Sequence, residues 1–571
     1  MGLIARLFGQ FARRSARVPG VVPSAPLIEA QHHEYFAKGQ EAFLRGDLDE
    51  ARVWFGKLEA ENTRLGIAWV FLGNLAKGDV SLPDHQTRAL KCYARARSLH
   101  FDSIEVAINI AATYLDQEQA HWALRELEHV RAQGVQVAPW HFHFGRAREM
   151  EFDFIQAHAA YATALQLDPA LIQARLAHAL VLAWIGRFSA CLDALHELER
   201  HGLTQLDVAR QIVLIGSVIG YPSVVEERAR FVLEHDADDK GAQLGLANVL
   251  LAKARFADGW RWFEARVDNP IYPIYRPVLP LWRGENLAGR HLWVYEEQGF
   301  GDEILFARFL PMLARQTGRL TVQCKPGLHR LMGSIPGIEW VSHKGRMTAA
   351  EMTGDFELPL MSLPARLGVV EPALLSTLPP FAVPADLMAH WQRAVAAAVA
   401  ARVPRVKYGA GSARKPRVGF GINGASHRKD NALRSVPPEC AVGLTALACD
   451  FFWIQPAADH ANSAVLDARV IDLTAGLKDF LDTAALLMQL DIVICVDTAV
   501  AHLAATLGLE TWVLLPRMRD WRWEIDGHGC LWYPRVRTFR VTEQLDWQGL
   551  MDQVTRALET RIHQGFPEIT S

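Results

Sequence analysis

The sequence predicts two kinds of fold in one chain: an α-helical repeat array, followed by an α/β region built on parallel sheets. Small residues recur at a nearly constant interval through the first half of the chain. Four closely spaced prolines then interrupt the helical pattern near residue 270. Beyond them, short β-branched and apolar runs alternate with helical segments, as they do in α/β sheets. At 571 residues, the chain is long enough for about three or four domains.

The composition is that of a globular protein, since 50% of the residues are hydrophobic. Sixty Lys and Arg face 63 Asp and Glu, a formal net charge of −3, so we expect no general affinity for nucleic acid. Seven scattered cysteines form no CxxC pair; they predict neither a disulfide framework nor a zinc site and favour a reducing, cytoplasmic setting. No apolar run approaches about 18 residues, so no transmembrane segment is expected.

Residues 1–31 are predicted to be an N-terminal tail. Their basic residues are interleaved with apolar ones: Arg6, Arg13, Arg14 and Arg17. One interpretation is a short amphipathic helix in peripheral contact with an anionic membrane, and the other is a frayed terminus.

Residues 32–268 are predicted to form the repeat array. A small or modest residue opens the second helix of each repeat, first after an interval of 38 residues and then after five intervals of 34: Ala51, Ala89, Ala123, Ala157, Cys191, Val225 and Gly259. A mostly bulky residue follows four positions later: Phe55, Tyr93, Leu127, Tyr161, Leu195, Ala229 and Phe263. This register resembles the tetratricopeptide repeat (TPR), which implies an α-solenoid of about seven copies. Its groove either holds a protein or peptide or serves as a scaffold.

The prolines make 269–289 a linker, and 290–404 is predicted to be the first α/β domain. Its strands are expected at 291–295, 320–323, 338–341 and 356–358, with another around Leu363. Gly299 and Gly301 form a tight turn after the first strand, and Asp302 stands at the start of the following helix. Asp302 is either a helix cap or, if an acceptor hydroxyl lies over the turn, a general base.

A second α/β domain is predicted over 405–571, with its first strand at 417–420. The loop after that strand holds Lys429, Arg434 and Ser435. Such a loop can cradle phosphate through its backbone while the cations supply countercharge. The alternative is a solvated basic loop.

The stretch DIVICVDTAVAHLAATLGLETWVLL, residues 491–515, predicts a strand, a polar turn, a helix and a second strand. Asp497 or Thr498 would cap the helix that starts at Ala499, and the free N–H groups there suit a diphosphate. His502 would face the same crevice. In the alternative interpretation Asp497 and Thr498 are only a cap and His502 is a core residue. Asp302 from one sheet is expected to meet the polar residues of the other: Lys429, Arg434, Asp497 and His502.

Four segments, in combination and in order, resemble the heptosyltransferase-like enzymes of glycosyltransferase family 9: EQGFGDEILFARFLP, KDNALRSVP, DTAALLMQLDIVICVDTAVAHLAATLG and LLPRMRDWRWEIDGHGCLWYP. From about residue 32, the chain looks like the bacterial proteins that join TPRs to this module. The resemblance implies a GT-B fold of two Rossmann-like domains, the first on the acceptor side and the second on the donor side. It also implies an inverting, metal-independent transfer from a nucleotide-diphosphate sugar to a protein or glycan hydroxyl, without a cofactor.

The resemblance also implies roles for individual residues. Asp302 is the candidate base, and the donor would be held by Lys429, Arg434, Ser435, Asp497, Thr498 and Ala499, with His502 supporting the loop. Ala499 departs from the heptosyltransferase pattern, which has glycine there, and the DWRW segment at 520–523 replaces a glycine-rich loop, so heptose is not implied. The tryptophans of this region are either a sugar platform or buried packing: Trp521, Trp523 and Trp532.

Two functions of different classes follow. In the first, the protein is a glycosyltransferase whose repeats recruit an acceptor or partner. In the second, it is a non-catalytic TPR scaffold with a vestigial sugar-nucleotide module.

Overall fold

A computed structural model of the chain describes the following residues: 27–131, 136–267, 277–342, 347–348, 351–376, 381–402, 414–424, 431–455, 464–466, 468–517, 520–523, 530–541 and 546–566. The chain divides after Leu203 into two compact units. Within the described ranges, the first unit contains five helix pairs, and the second contains two further helix pairs and two parallel sheets. The predicted fold class, helical repeats followed by a parallel-sheet α/β region, is confirmed.

The helices of the first unit pair in sequence: α1 (Leu27–Arg45) with α2 (Leu48–Ala60), α3 (Gly66–Gly78) with α4 (His85–Ser98), α5 (Ile104–Asp116) with α6 (Ala120–Arg131), α7 (Ala138–Met150) with α8 (Phe154–Leu167), and α9 (Ile172–Trp184) with α10 (Phe188–Glu197). Side-chain caps begin three of them. Asp47, Ser103 and Asp153 each accept a backbone N–H from the first turn of α2, α5 and α8.

The residues that set the repeat interval lie on buried faces. In the first unit the small residues are fully buried, and so are the residues four positions on: Ala51, Ala89, Ala123, Ala157 and Cys191, then Phe55, Tyr93, Leu127, Tyr161 and Leu195. A Cβ on Gly145 would lie 2.6 Å from the ring of Tyr161, and one on Gly73 would lie 2.4 Å from the ring of Tyr93. Small residues are therefore needed where an aromatic ring crosses to the paired helix.

The register continues into the second unit. Its helix pairs are α11 (Gln205–Leu214) with α12 (Pro222–His235), with a further turn at Gly216–Ile219, and α13 (Lys240–Ala252) with α14 (Phe256–Phe263). Val225 and Gly259 are buried at the expected positions of α12 and α14. The division after Leu203 falls inside the predicted repeat range 32–268, and the predicted domain bounds remain predictions.

The first sheet contains β1 (His291–Tyr295), β2 (Arg319–Cys324), β3 (Glu339–Ser342) and β4 (Phe356–Pro359), in the parallel order β3-β2-β1-β4. Helix α15 (Phe300–Phe306) follows β1, and shorter helical turns occur at Leu310–Ala314, His329–Met332, Leu363–Arg366 and Pro372–Leu375. The strand expected around Leu363 was wrong. Pro364 occupies the first turn of a helical segment there, a position that suits proline because its missing N–H is not needed.

After α16 (Ala385–Ala401), the second sheet contains β5 (Arg417–Gly421), β6 (Asp450–Trp453), β7 (Val470–Ile471), β8 (Ile492–Val496), β9 (Thr511–Leu515) and β10 (Val536–Arg540). The order is β10-β9-β8-β5-β6-β7, and all pairs are parallel. The remaining helices are α17 (Phe480–Leu487), α18 (Ala499–Thr506) and α19 (Trp547–Gln564), with helical turns at Asn431–Arg434 and Val442–Thr445. Every residue of β8 and β9 is buried, as expected for central parallel strands.

One hydrophobic cluster of the second unit joins its last helix pair to both sheets. Trp260 of α14 is 2% exposed, and its indole N–H donates to the carbonyl of Val369 at 2.8 Å. The same ring meets Trp521 edge-on, with the ring centroids 5.4 Å apart. Residues of α13 and α14 therefore share a core with the α/β region.

None of the helices in the described ranges is both long and apolar enough to cross a membrane. The basic segment at 1–26 lies outside the described residues, so its membrane contact remains a prediction.

Candidate functional site

The glycine turn lies at the carboxyl end of β1. Gln298 has a φ of 56°, a left-handed conformation that is uncommon for residues other than glycine, and the chain then enters α15 at Phe300. The backbone N–H of Gly299 donates to Asp302 Oδ2 at 3.1 Å. This bond fixes the Asp302 carboxylate over the turn, at the edge where α/β sheets bind ligands.

Arg522 occupies the other oxygen of the same carboxylate. Its Nε and Nη2 both lie 2.9 Å from Asp302 Oδ1, and its Nη1 donates to Asp520 at 3.0 Å. The side chains of Asp302 and Arg522 each keep 15% of their exposure. Burial works against the charged form of Arg522, but Asp302 and Asp520 outweigh it and raise the pKa of the guanidinium. Asp302 is thus held in an ion pair between the two sheets.

On the donor side, the loop after β5 is tied to the turn after β8. Arg434 Nη2 donates to the Asp497 carbonyl at 2.6 Å and to Asp497 Oδ2 at 2.7 Å. His502 Nε2 lies 3.9 Å from Asp497 Oδ1. Three of the residues predicted on this side therefore come together at the carboxyl edge of the second sheet.

Thr498 stands at the N-cap position of α18 in an extended conformation, but its side chain makes no capping hydrogen bond. Its Oγ1 is buried and finds no hydrogen-bond partner among the described residues. The first N–H groups of a helix also lack partners within the helix. This end of α18 therefore offers several hydrogen-bond donors, starting at Ala499, and a free hydroxyl.

His502 is a buried, neutral residue. It is 4% exposed, its ring stacks on Trp523 with centroids 4.2 Å apart, and its Nδ1 lies 2.9 Å from the hydroxyl of Tyr533. Burial lowers the pKa of His502 to about 3, so the imidazole carries no charge near neutral pH. Its packing suits a supporting role, which remains a prediction.

The two turns meet at Gly301. A Cβ on Gly301 would lie 2.6 Å from His502 Cδ2 and 3.5 Å from Ala499 Cα. The missing side chain of Gly301 thus lets the start of α15 touch the start of α18. Asp302 on one side and the Arg434–Asp497 pair on the other flank this contact, and Arg522 and Trp523 fill the space beside it. The expected meeting of the turns of the two sheets is therefore present at Gly301.

The remaining predicted donor residues have other placements. Ser435 Oγ donates to Asn431 Oδ1 and accepts the N–H of Gly424, both at 3.0 Å, so it holds the loop together. Lys429 lies outside the described residues, and its phosphate contact remains a prediction. In the described ranges, no group of three or more His, Cys, Asp and Glu side chains is arranged to hold a metal ion.

Comparison with known proteins places this architecture beside several others. The chain is similar to a family 9 glycosyl transferase structure from Veillonella parvula (13% identity, 49% of this chain and 99% of that one, TM-score 0.37) and to a tetratricopeptide repeat structure from Parabacteroides merdae (16%, 41% and 91%, TM-score 0.33). Protein FlbA of Caulobacter vibrioides is 28% identical over 341 residues. That match spans 55% of this chain and about half, 54%, of FlbA. No family model matches the chain. None of these likenesses decides the activity.

Sequence reasoning missed Arg522, although it singled out the DWRW segment. Alternate residues of this segment point to different neighbours: Trp521 meets Trp260, Trp523 stacks on His502, and Arg522 between them reaches Asp302. The available signal was the spacing: an acidic residue and a basic residue lie two positions apart, and each is followed by tryptophan. The packing interpretation of the tryptophans is confirmed, since they are 3%, 0% and 0% exposed: Trp521, Trp523 and Trp532.

A second acidic group, Glu303, stands beside Asp302 in the first turn of α15. Glu303 is 1% exposed, and its carboxylate accepts hydrogen bonds from Lys325 Nζ at 2.7 Å and from the Lys325 backbone N–H at 3.1 Å. Glu296 contacts the same ammonium group. Burial, together with the second carboxylate, raises the pKa of Glu303 to about 7. The segment after the glycine turn thus carries a second buried carboxyl group, and this one is paired with Lys325.

The close approach at Gly301 gives a testable prediction. Gly301→Ala should lower the free energy of unfolding by about 1–3 kcal/mol, because the stacked His502 ring cannot move away from the new methyl group. Gly299→Ala is the matched control: its Cβ would meet Asp302 Oδ2 at an ordinary 3.5 Å, and its φ of −96° suits alanine. Urea unfolding of the two variants compares them. Equal losses would show that the helix contact is not tight.

Proposed function

We propose that this chain is a glycosyltransferase that moves a sugar from a nucleotide-diphosphate sugar to a hydroxyl of a protein or glycan acceptor. One observation supports this most directly: polar turns at the carboxyl ends of two parallel sheets meet where Gly301 approaches Ala499. Each turn leads into a helix start, which attracts anions. In the proposal, the start of α18 and the free hydroxyl of Thr498 hold the donor diphosphate.

The reaction we propose is a single displacement with inversion. The acceptor oxygen bonds to the anomeric carbon while the bond from that carbon to the phosphate oxygen breaks. Asp302 takes the proton of the acceptor hydroxyl, and the nucleoside diphosphate leaves. Arg434 and Lys429 offset the charge of the leaving group, and no metal or cofactor is assigned a step.

For Asp302 to act, Arg522 has to leave its carboxylate. A diphosphate carries more negative charge than one carboxylate and binds guanidinium through paired hydrogen bonds, so the donor itself offers Arg522 a stronger partner. We therefore assign Arg522 to the leaving group when the donor is bound.

The setting we propose is the cytoplasm, with the repeats recruiting the acceptor protein or a partner. All seven cysteines are free thiols, which suits a reducing compartment. The concave surface of such helix pairs is a common site for protein recognition.

A second candidate function is a non-catalytic scaffold with a vestigial sugar-nucleotide module. Two observations favour it: Asp302 is paired with Arg522, and Trp523 stacks on His502. In this function the second unit binds no substrate productively, and the repeats assemble a complex.

Thermal unfolding with a panel of nucleoside diphosphates and monophosphates tests the proposal. A ligand at about 100 times its Kd adds about 2.7 kcal/mol to folded-state stability, which raises the Tm by a few degrees. We expect at least one nucleotide to do so, and Arg434→Gln to abolish the shift because it removes the partner of Asp497. Arg315→Gln, at an exposed site, is the matched control. If no nucleotide shifts the Tm, the proposal fails; a shift without turnover on a panel of nucleotide sugars would favour the scaffold.

A further inference from the structure

A groove of about 630 Å³ lies at the opposite edge of the second sheet from the candidate site. Its walls are the amino ends of β9 and β10 and the last two thirds of α19, from Gln553 to Gln564. Because the candidate site lies at the carboxyl edges of the sheets, a ligand in this groove would not compete with one there. The proposed glycosyl transfer assigns the groove no role.

The groove is strongly cationic in a chain whose formal net charge is −3. Four arginines line it with one carboxylate: Arg535, Arg537, Arg556 and Arg561, with Glu510. Glu510 forms an ion pair with Arg561: the Nε and Nη2 atoms of Arg561 both lie 3.0 Å from Glu510 Oε2. Three guanidinium groups therefore remain without a carboxylate partner among the described residues.

These three side chains are exposed and two of them are held in place. Arg535 Nη1 donates to the Gly508 carbonyl at 2.9 Å. Arg537 lies over the rings of Trp512 and Phe539, at 5.3 and 4.5 Å from their centroids. Arg556 makes no hydrogen bond or ion pair with any described residue. Fixed guanidinium groups lose less entropy on binding an anion than free ones do.

The shape of the groove favours an extended ligand. The α19 wall runs over twelve residues, from Gln553 to Gln564, which is about 16 Å at 1.5 Å per residue. An extended peptide of about five residues has this length. Arg537 lies in the edge strand β10 and Arg535 in the turn that leads into it, so two guanidinium groups line the groove along this wall.

We propose that this groove binds an acidic, extended peptide segment of a partner protein. Carboxylate side chains of the peptide pair with Arg535, Arg537 and Arg556, since guanidinium and carboxylate groups form paired hydrogen bonds. Gln553 and Thr560 on the helix wall offer hydrogen bonds to the peptide backbone. The groove thus adds a protein-docking surface to the α/β region, separate from the helical repeats.

Fluorescence anisotropy of a fluorescein-labelled heptaglutamate peptide, titrated with the full chain, tests this. Arg537→Glu/Arg556→Glu should weaken binding at least about tenfold, because two attractive contacts become repulsive. Arg315→Glu/Arg393→Glu makes the same change of net charge at exposed sites on other elements, and we expect less than about a twofold effect. Arg556→Gln, at an exposed helix position, should weaken binding without altering the Tm.

Three results would overturn the proposal. One is the absence of binding by the unmodified chain at about 50 mM salt. Another is equal weakening by the groove variant and the control variant, which would mean that only net charge matters. The third is tighter binding of a seven-nucleotide single strand than of heptaglutamate, which would make the groove a phosphate-backbone site.

Discussion

Replacing Arg266 by methionine should lower the free energy of unfolding of the second unit by about 3–5 kcal/mol. Arg266 follows α14 and is 4% exposed; its Nε and Nη2 lie 3.0 and 2.9 Å from the two oxygens of Glu297. It also bonds Glu264 at 3.0 Å and Ser362 at 2.8 Å. Methionine keeps an unbranched apolar stem but lacks the guanidinium group, so it leaves Glu297, 2% exposed, without its cation. Urea unfolding followed by tryptophan fluorescence measures the loss.

Arg255→Met is the matched control for this experiment. Arg255 precedes α14 and pairs with Asp258 at 2.7 Å, but both side chains are nearly half exposed. Its loss should cost less than about 1 kcal/mol because water screens such pairs. Replacing both members of the buried pair, Arg266→Met with Glu297→Met, should recover much of the stability, since no charge is left unpaired. If Arg266→Met were as mild as Arg255→Met, the buried pair would not hold the helix pair to the first sheet.

The ion pair of Arg266 with Glu297 also connects the last helix pair to the glycine turn. Glu297 follows β1 and lies two residues before Gly299, and one of its oxygens accepts the N–H of Met361 at 2.8 Å. The last helix pair therefore positions the segment from which Asp302 projects. A repeat array fused to an α/β region need not be an independent module, and here its last pair supports the candidate site.

Much of the fold could be predicted because the residues that are buried recur at regular intervals in the sequence. The 34-residue interval arises because each helix pair buries one small or modest residue at the same position, from Ala89 to Gly259. The apolar runs of β8 and β9 are continuous because both faces of these strands are buried. Around Leu363 the apolar run is short, and short runs do not distinguish a strand from a buried helical turn. Pro364 decided that case in favour of the helix.

The meeting of Asp302 with the Asp497 turn could be predicted because the carboxyl ends of parallel strands point to one edge. The pairing of Asp302 with Arg522 could not, because the two residues are 220 positions apart and nothing in their local sequence fixes that distance. Likewise, Trp523 is one of 17 tryptophans, and only its place beside His502 makes it part of the site. Sequence patterns located the turns, whereas the contacts that fill the space between them required the folded chain.

Asp302→Asn is expected to lower the rate of sugar transfer by about 10²–10⁴-fold, because an amide cannot accept the proton of the acceptor hydroxyl. The substitution keeps the shape of the side chain, and the amide oxygen can accept the hydrogen bonds that Arg522 donates at 2.9 Å, while the amide NH2 gives up the bond from the Gly299 N–H. Donor binding, measured by thermal shift, should therefore be retained while kcat falls. The assay measures release of the nucleoside diphosphate from the donor that stabilises the unmodified chain.

Asp520→Asn is the control that distinguishes loss of the proposed base from loss of a negative charge beside Arg522. Asp520 binds the same guanidinium at 3.0 Å but does not lie on the glycine turn. Both variants weaken the hold on Arg522, and only one removes the proposed base, so Asp520→Asn should change kcat by less than about tenfold. Equal losses in the two variants would mean that Arg522, and not Asp302, governs the reaction. An unchanged rate in Asp302→Asn would remove the base from the proposed mechanism and direct attention to Glu303, the buried carboxyl group on the same turn whose pKa is raised to about 7.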